Sequence, residues 1–174
     1  MLTIRPYQES DAQNVGILIA DTYSRFNLSE FSDAQRDEML GPFLHARSAD
    51  ASHRQAIAGA IHAPTVLVAE VDGRVVGVLR GGRVDYLGRT VLQSLFVSGD
   101  CHRQGVGRQL VERFEQEYLA RGVTVFKLLA TMEAVPFYLA MGYRKSTGAR
   151  SIHSFEGRGL TSQPMKKIVK KNSA

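Results

Sequence analysis

Cysteine is almost absent from this chain of 174 residues, which contains one cysteine, no tryptophan and five prolines. The single thiol, Cys101, excludes an internal disulfide, which is typical of a reducing compartment. The N-terminal residues lack the charged lead and the apolar run of a secretory signal. No stretch is apolar and long enough to cross a bilayer, so we expect no membrane partner. Together these absences predict a cytoplasmic protein.

The sequence also lacks the usual marks of a nucleic-acid-binding protein. It has no zinc-ligand spacing, no helix-turn-helix pattern and no row of aromatics among basic residues. The net charge is +5, but the basic residues are scattered except for KKIVKK near the C-terminus. We therefore expect no nucleic-acid partner, although the few local cations needed to bind an anionic ligand are compatible with this balance.

The length and a composition of 44% hydrophobic and 22% charged residues indicate one globular domain over residues 1–174. A strand at 2–7 precedes a helix that we expect Ser10 or Asp11 to cap. Two further helices follow within residues 24–62. Asp72-Gly73 predicts a tight hairpin between two β-branched runs. The rest alternates strands and helices, which predicts an α/β domain with a mixed sheet.

The main predicted helix lies within residues 101–122 and is followed by a strand at 123–131 that we interpret as buried, because it is apolar along most of its length. One helix face is apolar at a spacing of four residues: Val106, Leu110, Phe114 and Tyr118. The opposite face is charged and predicted to be exposed: Glu112, Arg113, Glu115 and Glu117. The apolar face of the helix and the apolar strand that follows it are therefore expected to pack in one core.

A glycine-bearing turn, CHRQGVGRQL at 101–110, opens this helix. Unpaired N–H groups at a helix N-terminus, tight glycines and nearby arginines together make a sound anion site. A P-loop would need Lys-Ser or Lys-Thr after the second glycine, which is not there. A dinucleotide fingerprint would need glycine in place of Leu110 and an acidic residue after the next strand. The glycines alone do not distinguish an anion site from a strand-to-helix turn whose glycines serve only packing.

Two motifs in this region resemble those of the GNAT N-acetyltransferase superfamily. SLFVSGDCHRQGVGRQL is similar to its motif A, in which a strand leads into Gln/Arg-x-x-Gly-x-Gly/Ala at a helix start. TMEAVPFYLAMGY is similar to its later Asn-x-x-Ala-x-x-Phe-Tyr helix followed by Gly-Phe. The resemblance implies a mixed central β-sheet flanked by helices, with a splayed strand pair at the cofactor site. It also implies acceptor-side helices at about 10–62, a cofactor core at about 65–145 and C-terminal strands at about 143–170.

The resemblance implies that acetyl-CoA is the co-substrate and that no metal is used. Backbone N–H groups of the turn would bind the pyrophosphate, and the backbone of the preceding strand would bind the pantetheine arm. A nearby N–H would also polarise the acetyl carbonyl. Thr131 stands where the family has asparagine. The implied cofactor-binding residues are Leu95, Phe96, Val97, Arg103, Gln104, Gly105, Val106, Gly107, Arg108 and Thr131.

Tyr138 matches the family's general acid. An unperturbed phenol has a pKa near 10 and a thiol one near 8.5, so at neutral pH the phenol is protonated and can donate to a leaving thiolate. Transfer is direct in this family, and Cys101 is interpreted as structural. The general base is open, because neither splayed strand carries a carboxylate. The candidates are a water chain, Asp85, Asp100, Glu133, His153 and Glu156.

His102 departs from the family pattern, and we consider both a phosphate contact and a solvent-facing turn residue for it. The acceptor is expected between residues 23–62 and 146–162, where Tyr23, Arg25, Phe26, Glu30 and Phe31 could line a mixed pocket. It could be a small molecule or a peptide or protein amine. The alternative function is a catalytically silent acyl-CoA-binding regulator, and a homodimer is left open.

Overall fold

The structure, a computed structural model, describes residues 1–154 and 157–170, and at 152–154 and 157–159 it describes the backbone alone. An eight-stranded sheet forms the centre of this part of the chain. The strands are β1 (Leu2–Pro6), β2 (Thr65–Val71), β3 (Arg74–Val84), β4 (Arg89–Val97), β5 (Val125–Thr131), β6 (Arg144–Lys145), β7 (Arg150–Ser154) and β8 (Gly157–Ile168). Of these, β7 pairs along β8.

The strand order is β1-β2-β3-β4-β5-β8-β6, with β7 also on β8. Every pairing is antiparallel except the one between β4 and β5. The predicted Asp72-Gly73 hairpin joins β2 to β3, and both turn residues have positive φ, at 49° and 80°. That combination is the type I′ geometry, which matches the twist of the strands.

Helices cover both faces of the sheet: α1 (Ala12–Phe26), α2 (Asp33–Leu40), α3 (Ala51–Ile61), α4 (Val106–Ala120) and α5 (Val135–Ala140). Neighbouring residues of β2 point to different cores, since Leu67 packs with α4 while Val68 packs with α1 and α3. The mixed α/β architecture predicted from the sequence is therefore confirmed. In the described ranges, no helix combines the length and apolar character needed to span a bilayer.

The start of α1 differs from the prediction. A 3₁₀ turn at Glu9–Asp11 precedes the helix, and no side chain caps α1 itself. The buried Asp11 carboxylate instead accepts the Gln8 N–H at 2.8 Å and two hydrogen bonds from Arg5 at 2.7 and 2.8 Å. Arg5 also binds Glu70, so this ion-pair network fixes α1 against β1 and β2.

The apolar face of α4 packs on β2, β3 and β4 as predicted, with Tyr118 almost fully buried. The prediction that the Glu115 side chain is exposed is wrong. Its side chain is 5% exposed because Lys167 of β8 pairs with it at 2.5 Å. The strand β5 is also not buried throughout, since its burial alternates and Leu129 is 41% exposed. One face of β5 therefore remains open to the space beside α1.

Tyr118 anchors the C-terminal half of α4 to β3, where its hydroxyl donates to the Gly82 carbonyl at 3.1 Å. Gly82 has φ of 101°, and a Cβ there would lie 1.8 Å from the Tyr118 hydroxyl. Gly82→Ala should therefore lower the free energy of unfolding by about 2–4 kcal/mol. Chemical denaturation measures this change.

Gly59→Ala is the matched control, because α3 leaves nothing within 4 Å of a Cβ at that position. This change should raise stability by about 0.5–1 kcal/mol. Equal stabilities for the two variants would show that the contact between Tyr118 and Gly82 does not hold α4.

Candidate active site

The glycine turn leads from β4 to α4. After β4 ends at Val97, a 3₁₀ turn at Gly99–Cys101 reverses the chain, and α4 begins at Val106. Gly105 is left-handed with φ of 83°, and a Cβ there would meet nothing within 4 Å. Arg103 is also left-handed, with φ of 62°. The turn is thus tight, and its outer side is open.

The N–H groups at the start of α4 have no carbonyl within the helix to bind. The first bond of the helix runs from the Gln109 N–H to the Gly105 carbonyl at 3.0 Å. The N–H groups of Val106, Gly107 and Arg108 precede it and are the free donors expected at a helix N-terminus. With Arg103 and Arg108 exposed beside them, the turn has the geometry and the charge of an anion site.

The sheet opens between β4 and β5. These strands pair in parallel only from Arg89 to Val91 on β4, opposite Val125 to Lys127 on β5. Beyond that point β4 stays paired with β3 through Val97, and β5 stays paired with β8 through Thr131. The two strands therefore diverge, and the splayed pair predicted from the resemblance is present.

The register of β4 decides which peptide groups face this gap. The Ser98 N–H donates to the Val76 carbonyl on β3 at 2.8 Å. Peptide groups alternate in direction along a strand, so those of Phe96 also face β3, while those of Leu95 and Val97 face the gap. Of the three predicted backbone contacts, the register thus supports Leu95 and Val97, whereas Phe96 contributes its side chain to the core beside α1.

A cavity of about 710 Å³ joins the turn to the gap. All but one of the predicted site residues line it: Leu95, Phe96, Val97, Arg103, Gly105, Val106, Gly107, Arg108, Thr131 and Tyr138. The exception is Gln104, whose side chain donates to the Asp100 carbonyl at 2.7 Å and so braces the turn from outside.

Tyr138 lies in α5, on the α4 side of the sheet, and is 6% exposed. Its ring packs at right angles against Phe137 and Tyr143, at 5.0 and 5.6 Å between ring centres. These contacts fix the ring in the cavity wall, so one cavity contains a phenol, an anion-binding turn and an unpaired strand edge.

The same combination of elements characterises a known family. A model of the acetyltransferase (GNAT) domain matches residues 27–169. The chain belongs to the GNAT acetyltransferase family. The predictions of family, of fold and of an acyltransferase are therefore confirmed, and acetyl-CoA, the predicted co-substrate, is the one that GNAT enzymes use.

Solved structures of similar fold include an N-acetyltransferase from Rhodopseudomonas palustris, with a TM-score of 0.70, 22% identity and coverage of 96% of this chain and 95% of that one. A ribosomal-protein-alanine N-acetyltransferase from Brucella melitensis has a TM-score of 0.64 and 22% identity, covering 96% and 99%. A putative acetyltransferase from Salmonella typhimurium with its cofactor acetyl-CoA has a TM-score of 0.65 and 18% identity, covering 100% and 97%. These likenesses establish the fold. No curated protein matches the sequence.

The candidate bases of this GNAT protein lie in different places. Glu133 lines the cavity just before α5. Asp85 is at the far end of β4, where it binds two backbone N–H groups and Arg89. Burial acts to raise the pKa of Asp85, but these hydrogen bonds outweigh it and lower the pKa. The side chains of His153 and Glu156 lie outside the described residues.

Asp100 is unsuited to accept a proton. Hydrogen bonds from Ser98 and then from Arg74 lower its pKa to about 2. It lines a second cleft of about 530 Å³ between α1 and the β2–β3 turn, not the cavity of about 710 Å³. Of the candidates whose side chains are described, Glu133 is therefore the one positioned beside Tyr138 in the cavity.

His102 is an exposed turn residue, as one of its two interpretations expected, and its side chain also has partners within the protein. Its Nε2 lies 2.8 Å from the Val97 carbonyl, which accepts the hydrogen bond, and its ring packs at a tilt of 33° on Phe26 of α1, with 4.8 Å between ring centres. The imidazole therefore covers one gap-facing carbonyl and joins the turn to α1. Cys101 is buried beside it, and burial and then Asp100 raise the pKa of its thiol, which keeps the thiol protonated.

The face of the gap towards α1 is formed partly by residues that the motifs did not include. The cavity extends to Tyr23, Phe26 and Asn27 and to Leu160 on β8, which fall within the ranges where the acceptor is expected. Arg25 lines the second cleft instead, and Phe31 packs into the core beside α1. Two buried serines, Ser94 on β4 and Ser162 on β8, complete this wall. Their only signal in the sequence is a small polar residue inside an apolar strand.

Proposed function

We propose that this GNAT protein transfers the acetyl group of acetyl-CoA directly to a primary amine. The observation that carries the proposal is the continuity of one cavity from the turn at Gly105, along the gap between β4 and β5, to the phenol of Tyr138. The turn suits a diphosphate, and the gap suits an extended chain with amide groups, so the residues present fit the coenzyme.

Each part of the site has a distinct role in this proposal. The N–H groups of Val106, Gly107 and Arg108, with the charges of Arg103 and Arg108, bind the diphosphate. The peptide groups of Leu95 and Val97 bind the amides of the arm as a neighbouring strand would. The coenzyme supplies a thioester, whose carbonyl carbon is open to a nucleophile. Thr131, at the end of β5, contributes a hydroxyl to the wall facing that arm.

The transfer requires two proton movements. As the C–N bond forms and the C–S bond breaks, Tyr138 donates its phenolic proton to the leaving sulfur. The amine attacks in its neutral form, and its nitrogen loses a proton to Glu133, directly or through water, as the amide forms. Because the acetyl group moves between the two substrates, no enzyme nucleophile is needed, and the protonated thiol of Cys101 is consistent with a structural role.

The acceptor is proposed to be a small-molecule amine or the amine of a peptide or protein. The similar structure from Brucella melitensis is named for alanine acetylation on a ribosomal protein, which supports the second class. The alternative is a silent acyl-CoA-binding regulator, and it is favoured by the missing carboxylate on β4 and β5.

A panel of amines distinguishes the two functions. With acetyl-CoA present, at least one primary amine should cause thiol release above the rate of hydrolysis, because the acid and the donor site share one cavity. A thiol-specific dye measures the release, and calorimetry measures coenzyme binding. Coenzyme binding with no amine-dependent thiol would instead favour the regulator, while absence of binding would exclude both.

Gly105→Val should weaken acetyl-CoA binding by about 10-fold or more, because a branched residue resists the left-handed backbone that the turn needs. Calorimetric titration measures the dissociation constant. Gly122→Val is the matched control, since Gly122 is also left-handed with no neighbour within 4 Å, but at the opposite end of α4. Equal affinities in the two variants would contradict a phosphate site at the turn.

Tyr138→Phe should lower kcat by about 100-fold, because the phenol supplies the proton of the leaving thiol. The dissociation constant for acetyl-CoA should stay within about 2-fold, since the ring remains in place. Tyr143→Phe is the control, because it deletes a buried phenol that packs on Tyr138 without lining the cavity. Undiminished turnover in Tyr138→Phe would remove this residue from the mechanism.

A further inference from the structure

Two buried serine hydroxyls in the cavity wall have no hydrogen-bond partner in the part of the chain that the structure describes. Ser94 is 7% exposed and Ser162 is 1% exposed. Each Oγ is shielded from water, and neither has a donor or acceptor within reach among the described residues. An unpaired buried hydroxyl destabilises a folded protein, so two of them in one cavity wall require an explanation.

Both hydroxyls lie on the face of the sheet opposite to Tyr138. Ser94 is two residues before Phe96 and shares its face, which packs with Tyr23 of α1. Ser162 stands directly opposite Thr131 in the register of β5 and β8, so these two share a face. Ala130, the residue before Thr131 on β5, packs on the α4 side. Because side chains alternate along a strand, Thr131 and Ser162 lie on the opposite face, towards α1. The serines therefore flank the gap on the side of α1.

The buried hydroxyl of Thr90, which lies outside the cavity, has a hydrogen-bond partner. Thr90 on β4 is fully buried, and its Oγ1 donates to the Arg83 carbonyl at 3.3 Å. The two serines thus differ from this paired strand hydroxyl, which lies outside the cavity. A serine Oγ moves by rotation about a single torsion, so either oxygen can turn into the cavity when a partner is present.

We infer that Ser94 and Ser162 bind the acceptor and determine which amines are used. This inference rests on the proposed acetyl transfer. Tyr138 and the donor occupy the α4 side and the gap, so a second substrate approaching from the α1 side meets both hydroxyls. Each hydroxyl gains in that complex the partner it lacks in the free protein.

The positions of the hydroxyls also indicate the class of acceptor. They are on separate strands, β4 and β8, with β5 and the gap between them. A simple alkylamine has one polar atom and cannot satisfy both serines at once. An amine with a second, uncharged polar group can, and the amide next to the amine of an amino-acid amide or a peptide N-terminus is such a group. The preferred acceptors are therefore α-amino amides and short peptides.

The test compares alaninamide with isopropylamine, which has a similar carbon skeleton without the amide. Values of kcat/KM are expressed per uncharged amine, so that the different pKa values of the two amines do not decide the result. The intact protein should prefer alaninamide by about 10-fold or more, because buried groups built for hydrogen bonds reject a ligand that lacks them.

Ser94→Ala and Ser162→Ala, singly and together, should reduce this preference towards unity. The acetyl-CoA dissociation constant should not change, and the melting temperature should stay the same or rise, because an unsatisfied hydroxyl is removed. Thr90→Val is the control and should lower the melting temperature with no change in preference. Ser94→Cys and Ser162→Cys keep the side-chain shape and serve if an alanine variant is poorly folded.

Three results would overturn the inference while leaving the proposed function intact. These are a preference unchanged in the double variant, a loss of acetyl-CoA affinity in place of acceptor selectivity, or equal use of the two amines by the intact protein. An intact protein that releases no thiol with any amine would overturn the proposed function, and the inference with it.

Discussion

The divergence of β4 from β5 is the constraint on which the rest of this structure depends. Each strand has a complete antiparallel partner on its outer side, β3 for β4 and β8 for β5. After three residues of shared pairing, each follows its own partner. The gap-facing peptide groups of Leu95 and Val97 are therefore left for something other than the sheet. A polar backbone edge inside a protein persists only where another group forms hydrogen bonds with it. Here that group is proposed to be the pantetheine arm of acetyl-CoA.

The rest of the fold keeps the gap open and gives it a direction. Tyr118 holds one end of α4 against β3, and the other end of α4 places the free N–H groups of Val106 and Gly107 at the mouth of the gap. α5 places Tyr138 on one side of the gap, and α1 closes the other side. A donor entering at the turn and an acceptor entering beside α1 would meet where the strands separate. The geometry thus favours direct transfer between two substrates.

Sequence reasoning was successful where the physical cause is local. The Asp72-Gly73 turn, the four-residue spacing on α4 and the tight glycine turn before that helix follow from short-range backbone preferences, and each is found as predicted. It failed where a distant residue decides the outcome. Glu115 is buried because Lys167, 52 positions away, pairs with it. Asp100 is held by Ser98 and also by Arg74, 26 positions away, and only the first of these contacts that lower its pKa is local. Such partners are chosen by strand order and register, which no local pattern contains.

The hydrogen bond from His102 to the Val97 carbonyl has a consequence for the protein before any substrate arrives. Two strand edges that face each other across a cleft are templates for adding another extended chain, including a segment of a neighbouring molecule. The imidazole, backed by Phe26, occupies the outermost acceptor on the β4 edge. It therefore blunts that edge at the opening of the cleft, where a foreign strand would begin to pair. A coenzyme arm that pairs with this edge therefore meets, at Val97, a carbonyl that already accepts one hydrogen bond and has one lone pair left for the arm.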